Sequence, residues 1–458
     1  MKNQLPKELL LSLQHAAGFD SIAFAQTHQQ AHPLTSVRIN QQKIQTADIL
    51  SLPFNHKIEW SSNGYYLTDR PSFTLDPLFH AGTYYVQEAS SMFLEEVLKQ
   101  TSDLSTSKKV LDLCAAPGGK STLIQSLIST DSLLICNEVI KTRVTVLSEN
   151  ITKWGASNVV VTNNDPKDFD RLPGYFDIIV ADAPCSGSGM FRKDNEAIKE
   201  WSIDNVALCS QRQQRILSDV LPALKEDGIL IYSTCSYSTA ENEDIADWLI
   251  EEHKMERIQI AANNRNIIES QSKKHNAYGY RFYPDKIKGE GFFICALRKR
   301  NSEKTKPVLN KSKSKQEQPN KTQLNILNKW VSSSIPLSYF FWEENIIAMP
   351  ELVLNEISFL QKNLYLKKAG IQIGSFAKND LIPSPELALS TIINPSLPSI
   401  EVDLKTALDY LRLSNLDLPE CPIGWTLVKY NQVPLGWIKK LPNRINNYYP
   451  KEWKILNK

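Results

Sequence analysis

One stretch of the chain places a carboxylate and a thiol directly after a buried apolar run. It is Phe176–Gly189, which reads FDIIVADAPCSGSG. A short apolar run that stops at turn residues is typical of a buried strand opening into a loop. Ligands of open α/β sheets bind outside the carboxyl ends of the strands, which is where Asp182 and Cys185 would lie. This stretch alone is equally compatible with a reactive pair and with a satisfied carboxylate beside a structural thiol.

A second thiol follows a later apolar run, in Tyr232–Glu243 (YSTCSYSTAENE). Its strand is expected to neighbour the one before Asp182, so Cys235 and Cys185 would meet. Two thiols and an acid suit methylation of a pyrimidine at C5, because thiolate attack on C6 turns the poorly reactive C5 into an enamine-like nucleophile. The acid stabilises the adduct near N3, and a second group lets the C5 proton leave. Two buried structural thiols are the alternative.

A loop of small residues follows the first strand of the pattern. Leu111–Thr122 reads LDLCAAPGGKST. Small residues let a ligand approach the backbone, and the helix N-terminus that follows favours an anionic group. The loop is not a P-loop, because the Walker spacing requires a glycine where Cys114 stands, and the G-x-G-x-x-G spacing is absent as well.

Two acids follow the next two predicted strands. Glu138 ends the second strand, at about the distance where an acid meets a ribose in doubly wound folds, and Asp165 follows the third, where it could hold an adenine amino group. Each acid alone could be a solvated strand end or a helix cap. Together with the small-residue loop they favour S-adenosylmethionine as the cofactor.

Strand and helix patterns alternate over residues 108–300, which predicts right-handed crossovers and a mainly parallel, doubly wound sheet. The fold class is therefore predicted as α/β, with a Rossmann-like sheet of the kind that S-adenosylmethionine-dependent methyltransferases use. The predicted strands are Val110–Leu113, Leu133–Cys136, Asn158–Thr162, Phe176–Ala181, Gly228–Thr234 and Phe292–Leu297.

The composition is that of a soluble globular protein of two or three domains, with 458 residues, 42% apolar content and a net charge of +2. Because the net charge is small, a nucleic-acid site must be a local basic surface. Seven scattered cysteines without zinc spacing predict no metal and fit a reducing cytoplasm. The apolar run Leu9–Leu13 is too short for a signal peptide, and no segment reaches transmembrane length.

The chain divides into four predicted parts. Residues 1–75 are predicted to form a small mixed module that recognises RNA and has a strand carrying Arg38, and residues 76–300 are predicted to form the catalytic domain. Residues 301–324 are lysine-rich and predict a linker. Residues 325–458 predict a β-rich region in which basic side chains lie among aromatic ones, a combination that can bind RNA. Tryptophans that only fill a core are the alternative there.

The chain resembles the NOL/NOP/Sun family of RNA 5-methylcytosine methyltransferases, and its tail (PLGWIKKLPNRINNYYPKEW) resembles the C-terminal PUA-like region of the bacterial 16S rRNA branch. The matched segments are Val110–Thr122, Asn137-Glu138, Asp165, Asp182–Gly187 (DAPCSG), Ser233–Ser236 (STCS), Tyr85–Met92 (YVQEASSM) and Gly289–Phe293 (GEGFF).

The resemblance implies a role for each matched residue. Cys235 is the nucleophile at C6, Cys185 promotes release of the methylated RNA, and Asp182 contacts the cytosine. Chemistry argued from the residues alone does not choose between the two thiols. The residues implied to line the cofactor are Cys114, Ala115, Ala116, Pro117, Gly118, Gly119, Lys120, Glu138, Asp165 and Asp182.

The predicted function is methylation of C5 of a cytosine in RNA, with small-subunit rRNA as the favoured substrate, by a cytoplasmic monomer that binds RNA and no membrane. The target base must be flipped out or presented in a single strand. The predicted RNA contacts are Arg38, Arg192, Lys193, Lys439 and Arg444. Two alternatives stay open: a tRNA cytosine-C5 methyltransferase, and an RNA-binding ribosome assembly factor whose catalysis is dispensable.

Overall fold

The computed structural model describes residues 5–29, 34–264, 266–300, 316–378 and 380–456. Most of the predicted linker, residues 301–315, lies outside them. Within the described ranges the helices are α1 Lys7–Ser12, α2 Ser21–Gln29, α3 Pro77–His80, α4 Leu94–Thr101, α5 Gly119–Leu127, α6 Lys141–Trp154, α7 Asn195–Glu200, α8 Ile203–Val220, α9 Glu243–His253, α10 Lys321–Trp330, α11 Leu354–Asn363, α12 Pro385–Leu389 and α13 Leu404–Leu411.

The strands of the described residues form four sheets. They are β1 Thr35–Ile39, β2 Phe54–Lys57, β3 Gly64–Leu67, β4 Tyr84–Val86, β5 Lys109–Asp112, β6 Leu133–Asn137, β7 Val159–Thr162, β8 Phe176–Asp182, β9 Leu224–Thr234, β10 Met255–Ile258, β11 Ile268–Gln271, β12 Tyr278–Phe282, β13 Phe292–Lys299, β14 Leu337–Trp342, β15 Asn345–Pro350, β16 Leu366–Ala369, β17 Ile371–Ala377, β18 Asp380–Pro383, β19 Ser399–Glu401, β20 Gly424–Tyr430, β21 Val433–Leu441 and β22 Arg444–Asn447.

The N-terminal sheet has the antiparallel order β2-β3-β1-β4. Strand β4 pairs with β1, with Val37 opposite Val86. The N-terminal sheet therefore extends past residue 75, the end predicted for this module. The apolar face of the sheet shares a core with the C-terminal part of the chain, in which Val37 and Tyr84 belong to one cluster with Tyr410 and Ile438. The two ends of the chain therefore stabilise each other.

The sheet of the predicted catalytic domain, called the catalytic sheet below, has ten strands, in the order β11-β12-β13-β9-β8-β5-β6-β7-β16, with β10 also paired to β13. The five neighbouring strands β9, β8, β5, β6 and β7 are parallel to one another, and β13 runs antiparallel beside β9. Successive residues of each strand enter two separate cores: Leu111 and Ile135 lie in one, and Val110 and Leu134 in the other. Burial on both faces is what a doubly wound sheet requires, and the predicted fold class is confirmed.

One strand of the catalytic sheet comes from far along the chain. Strand β16 pairs antiparallel with β7, with Leu366 opposite Thr162 and Ala369 opposite Val160. Leu366 and Ala369 are buried in the same core as Val160. The C-terminal region is thus built into the catalytic sheet and covers an edge that β7 would otherwise expose.

The rest of the C-terminal region contains two further sheets, β14-β15-β17-β18 and β19-β20-β21-β22. Trp437 is 1% exposed, so this tryptophan is a core residue. Helix α10 begins at Lys321, inside the predicted linker, because Asn320 and Gln323 cap it reciprocally and Leu327 is buried beneath it. Of the helices in the described ranges, none has the length and apolarity to cross a membrane.

Candidate active site

The two thiols meet at neighbouring strand ends. Cys185 follows β8 and Cys235 follows β9, and these parallel strands are in register at Asp182 and Ser233. The sulfur atoms of Cys185 and Cys235 are 3.2 Å apart, and both residues are free cysteines. The hydrogen bond with Cys235, together with burial, raises the pKa of the Cys185 thiol well above its ordinary value.

Asp182 lies beside the thiols and is held from two sides. One carboxylate oxygen accepts a hydrogen bond of 2.7 Å from the Ser233 hydroxyl. The other lies 2.8 Å from the Lys120 ammonium in an ion pair. Burial opposes the charge on Lys120, but the attraction of Asp182 outweighs it and the pKa of Lys120 is raised. Because Lys120 stands in the first turn of α5, this ion pair joins the small-residue loop to the thiol pair.

A buried carboxylate that the sequence analysis gave no role holds the two thiol loops together. Glu241 is fully buried. It accepts hydrogen bonds from the Ser186 amide at 2.7 Å, the Ser186 hydroxyl at 2.6 Å and the Ser236 hydroxyl at 2.6 Å. Burial raises the pKa of Glu241, although these donors oppose the shift. The signal was present in the sequence as a serine immediately after each of the two cysteines, followed by an acid.

The two loops also touch through their backbones. The Gly189 amide donates to the Cys235 carbonyl at 2.8 Å. A Cβ atom at Gly189 would lie 2.7 Å from that carbonyl oxygen and 2.4 Å from the Gly291 oxygen. Only glycine fits so close an approach. The Gly289–Phe293 segment is in this way packed against the thiol site.

The predicted cofactor loop is held from outside by α6. The Ala116 carbonyl accepts from the Arg143 guanidinium at 2.7 Å, and the Pro117 carbonyl accepts from the Asn150 amide at 2.8 Å. Gly118 adopts a left-handed conformation with φ of +115° immediately before α5. The loop therefore turns sharply at the end of β5 and directs the N-terminus of α5 towards the sheet edge, as the sequence predicted.

The two acids of the predicted cofactor site stand at the ends of β6 and β7. The Glu138 side chain is 3% exposed; one oxygen accepts from the Ile140 amide at 2.9 Å and the other lies 3.3 Å from Arg143. Asp165 is half-exposed, caps the turn that follows it, and lies 3.6 Å from Arg215. The structure thus brings the acids to the same edge as Lys120 and Asp182.

A third acid, which the sequence analysis did not single out, lies beneath the loop. Asp112 is fully buried at the end of β5, and one oxygen accepts from the Ser121 hydroxyl at 2.6 Å. The other oxygen has no hydrogen-bond partner among the described residues. Burial raises the pKa of Asp112 to about 7. An unsatisfied buried acceptor beside a small-residue loop is a feature that a bound polar ligand would explain.

Arg38 is placed differently from the prediction that it contacts RNA. It is 2% exposed. Its guanidinium donates to the Gln87 side chain at 2.9 Å and to the Thr122 hydroxyl at 2.6 Å, and it stacks 4.7 Å from the Trp154 ring. In this position it has no surface to offer a phosphate, so the prediction is corrected. Arg38 instead fastens the N-terminal sheet to α5, the helix that begins at the cofactor loop.

We expect replacement of Arg38 by alanine to lower the free energy of unfolding by about 2–4 kcal/mol, because it leaves a cavity and several buried acceptors without their donor. Urea denaturation of the full chain measures this loss. The control is Arg444→Ala, which removes an exposed arginine and should change the free energy by less than about 0.5 kcal/mol. Equal stability of the two variants would contradict the buried role of Arg38.

The other predicted RNA contacts differ in exposure. The Arg192 side chain is 7% exposed; it lies 3.3 Å from the Gly289 carbonyl and 3.6 Å from Glu290. Arg192 therefore lies buried against the Gly289–Phe293 segment rather than at an open surface. Lys193 and Arg444 are exposed, and the Lys439 ammonium lies 5.0 Å from the centre of the Trp425 ring. These three side chains remain available to a polyanion.

Three family models match the chain. The model described as 16S rRNA methyltransferase RsmB/F matches residues 99–298. The N-terminal domain of 16S rRNA methyltransferase RsmF matches residues 5–89, and the methyltransferase RsmF PUA domain matches residues 397–455. The first range contains the strands of the catalytic sheet from β5 to β13 but not β16, the second contains the N-terminal sheet with its helices, and the third contains the last sheet.

Curated relatives align with nearly the whole chain. A ribosomal RNA small subunit methyltransferase F from Erwinia tasmaniensis is 29% identical over 437 residues, which cover 91% of this chain and 90% of the relative. A protein of the same name from Vibrio vulnificus is 28% identical over 452 residues, with 94% and 93% covered.

Solved structures share the fold. A methyltransferase homologue from Pyrococcus horikoshii superposes with a TM-score of 0.52 at 28% identity, covering 64% of this chain and 100% of that one. NSun6 from Pyrococcus horikoshii, solved with SFG, superposes with a TM-score of 0.55 at 20% identity, covering 66% of this chain and 100% of that one.

Proposed function

Because the chain belongs to the RsmB/F family of 16S rRNA methyltransferases, and is thus an RNA methyltransferase that uses S-adenosylmethionine, we propose that it methylates C5 of a cytosine through a covalent cysteine adduct. The family and the cofactor agree with the resemblance seen in the sequence. The choice of C5 is supported by one observation, the 3.2 Å contact between the Cys185 and Cys235 sulfurs. A methyltransferase acting on a nitrogen has no use for such a pair.

Cys235 is the nucleophile of the proposed reaction. Its thiolate attacks C6 of the cytosine, a sulfur–carbon bond forms, and the electrons of the C5=C6 bond make C5 nucleophilic. This division of labour follows the family resemblance, in which the Thr-Cys motif at Thr234-Cys235 carries the nucleophile. Asp182 stands beside the thiols and would contact the ring near N3, and its ion pair with Lys120 fixes its position.

Cys185 serves the second half of the reaction. After methylation a base takes the proton from C5, the C5=C6 double bond is restored, and the bond between C6 and the Cys235 sulfur breaks, so that the Cys235 thiolate is regenerated. A thiol 3.2 Å from that sulfur is placed to assist its departure. Glu241 keeps the two loops at this separation through its hydrogen bonds to Ser186 and Ser236.

The residues at the strand ends fit S-adenosylmethionine. The N-terminus of α5 with Lys120 suits the carboxylate of the methionine part, and the unsatisfied oxygen of Asp112 is an acceptor for a polar group. Glu138 and Asp165 would hold the ribose and the adenine. When bound, the cofactor supplies an electrophilic methyl group on a sulfonium.

The RNA proposed as substrate is 16S rRNA, in the small subunit or an assembly intermediate. Relatives that align with nine-tenths of the chain carry the name of ribosomal RNA small subunit methyltransferase. The PUA sheet with Lys439 and Arg444, and Lys193 beside the thiol loop, are the proposed RNA contacts. A monomer acting in the cytoplasm is proposed.

We expect bisulfite sequencing of RNA from a strain that lacks the gene to reveal one or more cytosines in 16S rRNA that have lost methylation, because no second enzyme should supply this modification. Complementation with the intact gene should restore it. Loss of methylation in a tRNA instead would favour the tRNA alternative. If no methylated cytosine disappears from any RNA, the proposed activity is wrong and the assembly-factor alternative gains support.

A further inference from the structure

The loop that follows β7 is bound to the C-terminal region by polar contacts. Asn164 is 7% exposed. Its side-chain oxygen accepts from the Tyr365 amide at 2.9 Å, and its side-chain nitrogen donates to the Tyr365 carbonyl at 3.1 Å. The Asn163 amide donates to the same carbonyl at 3.1 Å. Tyr365 directly precedes β16, so these bonds close the end of the β7–β16 pair.

The same loop is bound to the two preceding strand ends. The Asn137 side chain accepts from the Asn164 amide at 3.0 Å and donates to the Asn164 carbonyl at 3.0 Å and the Leu113 carbonyl at 3.2 Å. The Asn163 side chain donates to the Glu138 carbonyl at 2.6 Å. A continuous set of hydrogen bonds therefore runs from the end of β5 through β6 and β7 to Tyr365.

We propose that Asn164 and Tyr365 form a clasp by which the C-terminal region positions the cofactor site. The inference rests on the proposed function, which puts the ribose at Glu138 and the adenine at Asp165. Asp165 is half-exposed and follows Asn164 directly. The position of its carboxylate therefore depends on the hydrogen bonds that hold Asn164 against Tyr365 and Asn137. Neither clasp residue touches the cofactor in this arrangement; both are positioning residues.

The clasp is separable from the packing of β16. Leu366 and Ala369 supply the buried apolar contacts of this strand, whereas the Asn164 side chain bonds to the main chain of Tyr365. The Tyr365 side chain is 59% exposed. Replacement of the Asn164 side chain should therefore loosen the loop after β7, which carries Asp165, while β16 stays paired in the sheet. The defect should appear in cofactor affinity rather than in the chemical step.

The experiment uses the full chain, a 16S rRNA transcript and S-adenosylmethionine. We expect Asn164→Ala to raise KM for S-adenosylmethionine about tenfold, because two hydrogen bonds are lost, while kcat changes less than about twofold. Asn164→Asp keeps the acceptor for the Tyr365 amide and loses the donor, so we expect a rise of about threefold. Calorimetric titration with S-adenosylhomocysteine should show the same order of affinities without turnover.

Two further variants separate the possible failures. Lys367→Ala removes an exposed side chain of β16 that contacts the Tyr365 side chain and not the main-chain groups of the clasp, so it should leave both constants unchanged. Asp165→Asn should weaken binding of S-adenosylhomocysteine if the adenine lies at Asp165 as proposed. An unchanged affinity would contradict that position of the adenine. The clasp is refuted if Asp165→Asn weakens binding of S-adenosylhomocysteine while Asn164→Asp binds it as tightly as the wild type does. It is also refuted if the Asn164 variants lower kcat and leave KM for S-adenosylmethionine unchanged. Asn164→Asp is nearly isosteric and keeps this test decisive even if Asn164→Ala fails to fold.

Discussion

Replacement of Cys235 by alanine is expected to abolish methylation of RNA, lowering the rate of methyl transfer by about 10⁴-fold or more. Without a thiolate to add at C6, C5 of cytosine is too weak a nucleophile to take a methyl group. Cys185 is not expected to replace it, because in the proposed reaction this thiol serves the release step. Transfer of a radioactive methyl group from S-adenosylmethionine to the transcript measures the loss.

The matched control is Cys421→Ala. This buried cysteine belongs to the core that the N-terminal sheet shares with the C-terminal end, far from the thiol pair in the fold. Its replacement should leave the rate within about twofold, because the change is no more than a small loss of packing. If Cys235→Ala retained more than a tenth of the wild-type rate, the covalent route would have to be abandoned.

Replacement of Cys185 by alanine is expected to make the covalent protein–RNA adduct accumulate, whereas replacement of Cys235 should prevent the adduct from forming. The Cys235 thiolate can still add to the cytosine, but release is slowed, by about 10²–10⁴-fold, because the neighbouring thiol is missing. A protein–RNA complex that survives denaturing electrophoresis should therefore accumulate with S-adenosylmethionine present. Its mass should equal that of the variant and the RNA together plus the transferred methyl group, less the proton that the Cys235 thiol gave up.

The double variant Cys185→Ala, Cys235→Ala controls for trapping by other groups and should form no adduct. The assignment of the two thiols is at stake in this comparison. An adduct that forms with Cys235→Ala and not with Cys185→Ala would exchange their roles, with Cys185 as the nucleophile. The fold of each variant is checked by urea denaturation, in which a half-buried cysteine replaced by alanine should cost little.

These effects depend on how firmly the two loops are held. The thiols lie on loops, but Glu241 receives hydrogen bonds from both of them in a fully buried position. A buried carboxylate is tolerated only when its oxygens are satisfied, and here the serines next to the cysteines satisfy it. The carboxylate thus holds the two loops together as one rigid unit. The proposed reaction needs this, because Cys235 attacks the base and Cys185 then acts on the same base during release.

The sequence by itself determined the parallel core of the catalytic sheet and the residues at its carboxyl edge. Apolar runs that end in turn residues are local patterns, and each carries its acid or thiol with it, so Asp182, Glu138 and Asp165 were placed correctly at strand ends. The order of parallel strands follows from right-handed crossovers. That Cys185 and Cys235 meet was therefore predictable, although their separation of 3.2 Å was not.

Only the tertiary structure decided the remaining features, because they join residues that are distant in the chain. Arg38 finds its partner Thr122 at a separation of 84 residues, and no local pattern distinguishes a buried arginine from an exposed one. Strand β16 reaches the catalytic sheet from beyond residue 360 because its apolar side chains match the uncovered edge of β7. Local chemistry thus gave the reacting groups, and packing between distant segments decided what holds them in place.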